Sequence, residues 1–474
     1  MNQARRSRLN RRQFVRTTTA AVTAVTLVPR HVLGGPRFVP PSEKVNIALV
    51  GAGGQGRTNL RALFNEADAQ VVAVCDPIAS HNLDRFYYRG VAGRKPIKQE
   101  IEKHYSAKTP NHACAEYVDF RKLYEEKARD FDAVLCATPD HNHAQVVLPA
   151  MRMGKHVYCE KPLAHNIWEA RLMARVARET GVATQMGNHG HSGEGLRAAC
   201  EWIWDDAIGP VREVHAWSAA TRWGTLLGGG RPPSEPTPAG VEWDLWLGPR
   251  DPRPYSSAYS PVTWRDFWDF GTAPIGDMAC HNLDQAFMAL DLRSPRTVEG
   301  TAVGEVDDYM APAGAMYTYQ FEGRGNLPPV RLVWYDGGLE PARPDELEDG
   351  MMLGGGRNGV LFIGDKGKMM CPGWAGEPTL LPLDLMDTYQ RPEKTLRRVK
   401  GHHRDWLDAC KGGEPAGANF EYGAALTELV LLGPVALRTR KKITWDSAAM
   451  KATNAPEADQ FLKESQYRDG WKLA

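Results

Sequence analysis

The feature that most constrains the fold of this chain is an apolar segment that runs directly into a glycine-rich turn. Residues 45–50 alternate short and β-branched apolar side chains, as a buried strand does, and residues 51–56 read Gly-Ala-Gly-Gly-Gln-Gly. A second apolar strand, residues 71–75, ends at Asp76, which lies 20 residues after Gly56. This spacing between a glycine turn and an acidic residue is typical of a βαβ unit that binds a dinucleotide.

Each glycine of the turn has a separate predicted role. Gly51 permits the tight turn, Gly53 lets backbone N–H groups approach a pyrophosphate, and Gly56 lets helix and strand pack closely. The helix after the turn directs its N-terminus at the phosphate charge. Asp76 would accept hydrogen bonds from the adenosine ribose and repel a 2′-phosphate, so we expect NAD as the cofactor rather than NADP.

The N-terminus has the layout of a twin-arginine export signal. Arg11 and Arg12 precede Phe14, and residues 17–28 form an uncharged run of 12 residues that ends before a proline. This order of segments is typical of targeting peptides, and the run is shorter than the ~20 residues that span a bilayer. We therefore expect residues 1–35 to be an export signal and expect no membrane anchor. The protein would be periplasmic or otherwise exported, folded and loaded with its cofactor beforehand.

Strand and helix patterns alternate through the rest of the first half. The strand patterns lie at residues 131–138, 156–160 and 182–186, and the helical patterns at 145–152 and 168–180. This alternation predicts an α/β domain with a doubly wound parallel sheet, the Rossmann arrangement, over residues 44–187. Ligands bind at the carboxyl ends of such strands, where Thr138, Pro139 and Glu160 fall.

The second half has a different organisation. Short alternating strands at residues 211–217, 316–321 and 331–335 predict an open, mostly antiparallel sheet covered by helices, including one at 424–437. Two glycine- and proline-rich loops, 224–240 and 336–359, are expected to form walls or lids of a substrate pocket. We assign residues 188–446 to this α+β substrate-binding domain and 447–474 to a C-terminal tail. We also expect a homo-oligomer formed through the second sheet.

Composition excludes several kinds of partner and site. With 58 basic and 57 acidic residues the formal net charge is +1, so nothing indicates a nucleic acid or an acidic membrane surface. Of the eight cysteines, Cys75, Cys136 and Cys159 lie in apolar strands, where we expect parallel-sheet geometry to keep them apart. No C-x-x-C motif or His/Cys cluster indicates a metal site, and we predict none.

A set of motifs along the chain is characteristic in combination. In order they are the glycine turn 51–56, Asp76, Thr138-Pro139-Asp140-His141-Asn142-His143, Glu160-Lys161-Pro162 and Gly276-Asp277-Met278-Ala279-Cys280-His281. In this order they resemble the Gfo/Idh/MocA oxidoreductases, named for glucose-fructose oxidoreductase and inositol dehydrogenase. The resemblance covers roughly residues 44–446.

The resemblance implies a site around Lys161, which would contact the nicotinamide and polarise the reacting hydroxyl. Asp277 and His281 would lie across the nicotinamide face, and residues at i and i+4 do share one face of a helix. His281, with an ordinary pKa near 6.5, would take the hydroxyl proton while Asp277 orients it. The implied cofactor-binding residues are Gly51, Gly53, Gly54, Gln55, Gly56, Asp76, Thr138, Pro139, His143 and Glu160.

A carbohydrate is the expected substrate, and its contacts are the least constrained part of the prediction. The chain holds 14 tryptophans, many between residues 202 and 268, and aromatic faces stack on sugar rings, although most tryptophans anchor cores. The predicted substrate-binding residues are Asn188, His191, Arg222, Trp223 and Arg265.

The predicted function is an exported NAD(P)-dependent oxidoreductase that acts on a sugar or sugar-like polyol by hydride transfer with tightly bound cofactor. Tight binding follows because compartments outside the cytoplasm offer little free nicotinamide cofactor. Two alternatives stay open. One is an NAD-dependent glycoside hydrolase or lyase that oxidises the sugar transiently and restores its cofactor in each cycle. The other is a non-catalytic sugar-binding protein, against which Lys161, Asp277 and His281 argue.

Overall fold

The computed structural model describes residues 39–107, 109, 112–224, 230–464 and 466–473. The predicted export signal lies outside these residues, as does part of the loop predicted at 224–240. A single 3₁₀ turn, Pro41–Glu43, precedes the first strand.

Parallel strands and helices alternate from residue 45 to residue 186. The strands are β1 (Val45–Val50), β2 (Ala69–Cys75), β3 (His81–Asn82), β4 (Val91–Ala92), β5 (Ala115–Tyr117), β6 (Ala133–Cys136), β7 (His156–Cys159) and β8 (Thr184–Met186). The helices between them are α1 (Gly54–Leu63), α2 (Arg94–Ser106), α3 (Phe120–Lys127), α4 (His143–Arg152) and α5 (Ile167–Thr180). Six strands form one parallel sheet in the order β5-β2-β1-β6-β7-β8, and β3 and β4 form a separate hairpin. The predicted doubly wound Rossmann sheet is confirmed.

Local sequence explains why these elements form. Every residue of β6 is buried, which matches the continuous apolar run expected of a strand covered by helices on both faces. Helix α5 begins where the Asn166 side chain accepts a hydrogen bond from the Glu169 N–H at 2.9 Å. It ends at Gly181, which adopts a left-handed φ of +67° that favours glycine.

The second half builds a larger mixed sheet. Its strands are β9 (Val211–Ser218), β10 (Thr297–Ala302), β11 (Ala315–Phe321), β12 (Val330–Tyr335), β13 (Asn358–Gly364), β14 (Lys368–Pro372), β15 (Thr379–Leu381), β16 (Ile443–Asp446) and β17 (Lys451–Ala452). They lie in the order β15-β14-β13-β9-β12-β11-β10-β16-β17. The β9–β12 pair is parallel and the other pairs are antiparallel, so the predicted mostly antiparallel sheet is confirmed.

Helices cover this sheet and join it to the first. They are α6 (Glu194–Trp204), α7 (Trp243–Leu247), α8 (Ala273–Asn282), α9 (Asp284–Leu290), α10 (Leu385–Thr388), α11 (His402–Cys410), α12 (Phe420–Thr439) and α13 (Asp459–Leu462). Helix α12 packs against α5, and Trp406 and Leu407 of α11 are buried in the core beside β1 and β2. Residues from Val45 onward consequently form one compact unit, in which the segment predicted as a tail is folded too.

Helix α12 is the one helix in the described part of the chain that is long and apolar enough to cross a membrane. In this structure 83% of its most apolar window is buried inside the protein, and a core helix meets the same criteria of length and composition. The expected homo-oligomer and the absence of a membrane anchor stay predictions.

Candidate functional site

The glycine turn after β1 is shaped by close backbone approach. Gly51 has a φ of +92°, and a Cβ there would lie 2.5 Å from the Ala137 carbonyl group. A Cβ on Gly56 would lie 2.0 Å from the Gly51 carbonyl oxygen. A Cβ on Gly53, by contrast, would have no atom within 4 Å. The turn therefore needs glycine at 51 and 56 for packing, and at 53 it leaves open space for a ligand.

Asp76 lies at the end of β2 and faces the same turn. Its carboxylate accepts backbone hydrogen bonds from the N–H groups of Ala52 at 2.7 Å and Ile78 at 2.8 Å. Burial raises the pKa of Asp76 to about 6, against the opposing effect of these two bonds. Each oxygen keeps a lone pair, so the group is placed to accept ribose hydroxyls as well.

A cavity of about 810 Å³ runs from the glycine turn to the second sheet. Its walls include most of the predicted site residues: Gly51, Gly53, Gly54, Gln55, Asp76, Thr138, Pro139, His143, Glu160, Lys161, Arg222, Trp223, Arg265, Asp277 and His281. Gly56, Asn188 and His191 are not on the wall. The volume lies within the range of known ligand and cofactor sites.

The Glu160-Lys161-Pro162 segment is tied to the glycine turn by side-chain bonds. Glu160 Oε1 accepts hydrogen bonds from Asn59 Nδ2 at 2.8 Å and Gln55 Nε2 at 3.2 Å. Both donors lie on α1, so the end of β7 and the start of α1 are held together. Glu160 thus fixes the position of its neighbour, Lys161.

Lys161 forms an ion pair with Asp277, which lies on α8. Its Nζ lies 2.7 Å from Asp277 Oδ1, and Arg265 Nε lies 3.2 Å from the same oxygen. Burial favours the neutral amine, but the Asp277 charge prevails and raises the pKa of Lys161 above its usual value. Burial also opposes ionisation of Asp277, yet the charges of Lys161 and Arg265 hold its pKa well below the usual value. The ammonium group is therefore retained at neutral pH.

His281 lies one turn after Asp277 on α8 but has different neighbours. Its ring centre is 5.0 Å from that of His189 and 6.3 Å from that of Trp374, and Nδ1 has no hydrogen-bond partner among the described residues. Burial, together with the charge of Lys161, lowers the pKa of His281 well below 6.5. The imidazole is neutral at pH 7 and available as a proton acceptor. Asp277, expected to orient His281, makes no hydrogen bond with it among the described residues, because its carboxylate faces the two cations.

Asn188 and His191, predicted as substrate contacts, lie in a buried polar network behind the cavity wall. Asp284 accepts hydrogen bonds from Asn188 Nδ2 at 2.9 Å and from Tyr422, and its Oδ2 lies 3.1 Å from His191 Nδ1. These side chains join the end of β8 to α9 and α12. The neighbouring His189 reaches the cavity instead.

Arg222 and Trp223 lie on the cavity wall beside the loop predicted as a lid. The backbone N–H of Trp223 donates to Asp266 Oδ1 at 2.9 Å. The centre of the Trp223 ring lies 5.9 Å from the centre of the Tyr87 ring. Nε of Arg222 is buried without a hydrogen-bond partner among the described residues. Arg222 thus lines the cavity while its Nε atom is turned away from solvent.

The β3–β4 hairpin covers the glycine turn, which the sequence analysis did not predict. The Tyr88 ring occupies the space beside Gly54, where an added Cβ would lie 2.3 Å from it. Arg57, in the first turn of α1, holds the hairpin by donating to the carbonyl oxygens of Val91 at 3.0 Å, Tyr88 and Arg89. Hairpin residues Tyr87 and Tyr88 therefore join the cavity wall. Tyr87 and Tyr88 belong to none of the sequence motifs, so their place on the cavity wall could not be predicted from them.

Cys136 and Cys159 are neighbours, contrary to the expectation that the parallel sheet separates its cysteines. They are paired in register on β6 and β7, where adjacent side chains point to the same face. Their sulfur atoms and a ring nitrogen of His143 lie within 4.8 Å of one another. Both ring nitrogens of His143 also face carbonyl oxygens, of Pro162 at 2.9 Å and Thr138 at 3.0 Å. The His143 ring is thereby fixed beneath the cavity.

The fold and this cavity define a class, the dinucleotide-binding α/β oxidoreductases. A family model described as an oxidoreductase family with an NAD-binding Rossmann fold matches residues 45–188. A second model of the same family, its C-terminal α/β domain, matches residues 216–323. Together they span more than half of the chain, which belongs to the Gfo/Idh/MocA oxidoreductase family. This family match also confirms NAD, the predicted cofactor.

Curated relatives match parts of the chain. A 2,7-anhydro-N-acetylneuraminate hydratase of Mediterraneibacter gnavus is 30% identical over 38% of this chain and 40% of its own length. A glycosyl hydrolase family 109 protein of Stenotrophomonas maltophilia is 26% identical over 54% of this chain and 50% of its own length. The chain thus matches half or less of the length of these relatives.

Among solved structures, the WlbA dehydrogenase of Bordetella pertussis, crystallised with NADH and UDP-GlcNAcA, has the same fold. The TM-score is 0.54 at 15% identity, and the match covers 85% of this chain and 99% of that one.

The residues of the cavity fit NAD. Open space at Gly53 admits a pyrophosphate, and the buried Asp76 carboxylate is an acceptor for ribose hydroxyls. His81 lines the same end, and neither of its buried ring nitrogens has a hydrogen-bond partner among the described residues. Burial lowers the pKa of His81 to about 4, so it would meet a nucleotide as a neutral ring.

Proposed function

We propose that the protein is an exported oxidoreductase that keeps its NAD bound and acts on a hydroxyl-bearing carbon of a sugar or polyol. The observation that carries this proposal is the juxtaposition of a charged lysine and a neutral histidine in the dinucleotide cavity. Lys161 keeps its proton through Asp277, and His281 lacks one. One group can therefore donate a hydrogen bond to a substrate oxygen while the other accepts its proton.

Bound NAD would take the hydride from the substrate carbon as the carbonyl forms. The hydroxyl proton moves to the neutral imidazole of His281, which lines the cavity. The Lys161 ammonium donates to the same oxygen and stabilises the negative charge that develops there. Asp277 holds the ammonium in place, with Arg265 as a second cation on the same carboxylate. In the reductive direction His281 returns the proton.

Aromatic and cationic groups on the wall support a carbohydrate as the substrate. Trp223, Trp374 and Tyr87 line the cavity near Lys161 and His281, and flat rings suit the apolar faces of a sugar. The guanidinium of Arg222, which lines the same cavity, could donate to a hydroxyl or carboxylate oxygen of the substrate. Two relatives are named for a sugar-derived substrate or a glycosyl hydrolase activity, which agrees with this class.

A second candidate is a glycoside hydrolase or lyase that restores its cofactor in every cycle. The specific observation that favours it is the second imidazole, His189, beside His281 in the cavity. Proton removal from a carbon and proton delivery to a leaving group need two such groups. The names of the hydratase and hydrolase relatives support the same candidate.

One experiment separates these functions. The purified protein is denatured, and the cofactor that it releases is identified by mass spectrometry. The native protein is then incubated with glycosides, free sugars and polyols. A keto sugar or lactone together with NADH supports the oxidoreductase. Free reducing sugar without net NADH supports the hydrolase. Sugar binding without any product, equal in wild type and Lys161→Met, would contradict both enzymatic proposals.

A further inference from the structure

The C-terminal segment, residues 466–473, is fastened to the fold by several polar contacts. The Tyr467 hydroxyl donates to Glu169 Oε1 on α5 at 2.7 Å. Arg468 Nη1 donates to Asp244 Oδ1 on α7 at 2.6 Å. The segment therefore has a defined path over α5 and α7.

That path ends with Trp471 packed at the first turn of α3. Its ring centre lies 6.0 Å from that of Phe120, and the Arg121 guanidinium lies 4.2 Å above the indole. Nη1 of Arg121 also donates to the Gly470 carbonyl oxygen at 3.2 Å. Arg121 itself is held by Asp119, with 2.7 Å between Nη2 and Oδ2. Trp471 is thus 6% exposed although it lies three residues from the end of the chain.

Trp471 also forms part of the cavity wall, at the end away from Lys161. Its neighbours on that wall include Asp119 and Phe120, which follow β5. Strand β5 is the edge strand next to β2, whereas Lys161 follows β7 on the other side of β1. Because Asp76 at the end of β2 is the ribose acceptor, the Trp471 end of the cavity is the adenosine end.

We propose that Trp471 is a cofactor-binding residue that closes the adenine end of the site, and that the C-terminal segment is a clamp that slows NAD dissociation. The proposal rests on the NAD site described above. Adenine is a flat aromatic group, and the Trp471 indole, packed edge-to-face on Phe120, gives it an apolar surface to contact. A contact that closes the adenine end of the cavity suits a protein that must keep its cofactor.

The test measures cofactor binding rather than turnover. Wild type, Trp471→Ala, Trp471→Phe and Lys472→Ala are purified, and the NAD released by denaturation is quantified per chain. The dissociation rate of bound NADH is then measured by chasing it with excess NAD. Lys472 is a matched control because its side chain is 72% exposed, pairs only with the exposed Asp469 among the described ion pairs, and does not line the cavity. Thermal unfolding of each cofactor-free variant reports on the fold.

We expect Trp471→Ala to raise the dissociation rate about 10- to 100-fold, the effect of losing one base–aromatic contact. Trp471→Phe should keep most of the NAD retention of wild type, because an aromatic ring is still present. Lys472→Ala should have the same NADH dissociation rate as wild type. A folded Trp471→Ala that holds NAD as wild type does would overturn the proposal, as would equal loosening by Lys472→Ala. If Trp471→Ala does not fold, Arg121→Gln, which removes the cation above the indole, is measured instead: faster NADH dissociation supports the proposal, and an unchanged rate overturns it. Wild type that binds no NAD would refute the cofactor assignment instead.

Discussion

The Asp277 carboxylate lies 2.7 Å from the Lys161 ammonium, 116 residues away in sequence, and makes no hydrogen bond with His281, which shares its helix. This pairing gives Lys161 and His281 different protonation states. Lys161 is kept charged by Asp277, whereas His281 is kept neutral by burial and by the nearby lysine. Groups whose environments push their pKa values apart can serve as a hydrogen-bond donor and a base in one cavity.

Lys161→Met should leave the fold and NAD content largely intact and lower kcat by about 100-fold or more, the scale of positioned acid–base catalysis. Methionine keeps much of the side-chain volume but removes the ammonium. The measurement is turnover on the substrate identified by the sugar panel, with NAD content as the control. Near-full activity would show that the catalytic site lies elsewhere, and loss of NAD would make Lys161 a cofactor anchor.

His281→Asn should remove the acidic limb of the pH–rate profile as well as lower the rate. A base works only when unprotonated, so activity rises with pH through its pKa. The pKa of His281 is lowered well below 6.5, so the wild-type limb should lie below that pH. The profile of kcat/KM against pH checks this. An acidic limb that persists in the variant would assign the base to another group, with His189 the nearest imidazole in the described structure.

Asp277→Asn should shift the alkaline limb of the same profile to lower pH. Asp277 raises the pKa of Lys161, so the wild-type ammonium is lost only above its usual value of 10.5. Without the carboxylate, burial and the Arg265 charge both favour the neutral amine. Activity that needs the ammonium should then fall at a lower pH than in wild type. An unchanged alkaline limb would show that the ion pair does not set the protonation of Lys161.

Asp76→Ala should weaken NAD binding by about 1–3 kcal/mol, the range for hydrogen bonds to charged groups. It should also relax the discrimination against NADP, because a repulsive charge is lost with the acceptor. Asp76→Asn is the matched variant, which keeps one acceptor for the backbone and removes the charge. Calorimetric titration with NAD and with NADP measures the two affinities and therefore the preference between them. Unchanged affinity and preference in the folded variants would remove Asp76 from the site.

Replacing Arg11 and Arg12 together with lysine should leave the folded protein in the cytoplasm. Lysine keeps the positive charge, but a twin-arginine signal is read by a receptor. Cell fractionation of the double variant and of the wild type tests this. Normal export of the double-lysine protein would mean that the N-terminus is a signal of another type.

Local patterns accounted for the elements of the fold. The strand expected at residues 71–75 is the end of β2, and the helix expected at 168–180 is α5 with one further residue at its start. Alternation of strands and helices then led to the parallel sheet, because few topologies satisfy it. The glycine turn could be interpreted residue by residue, since its backbone constraints act within a few residues.

The arrangement around the turn depended on residues far apart in sequence. Cys136 and Cys159 meet because β6 and β7 pair in register, and register is not visible in either strand alone. Asn188 and His191 face Asp284 rather than the cavity because a buried carboxylate must be satisfied by nearby donors.

By itself, therefore, the sequence determined five of the six strands of the parallel sheet, several of the helices, the dinucleotide turn and most of the residues from which a site could be built. Only the tertiary structure decided that Asp277 pairs with Lys161, that His281 stays neutral and that Trp471 reaches Phe120. The physical reason is the distance along the chain over which each kind of interaction acts. Backbone preferences and hydrophobic periodicity act between neighbouring residues, whereas ion pairs, burial and ring packing depend on which distant segments the fold brings together.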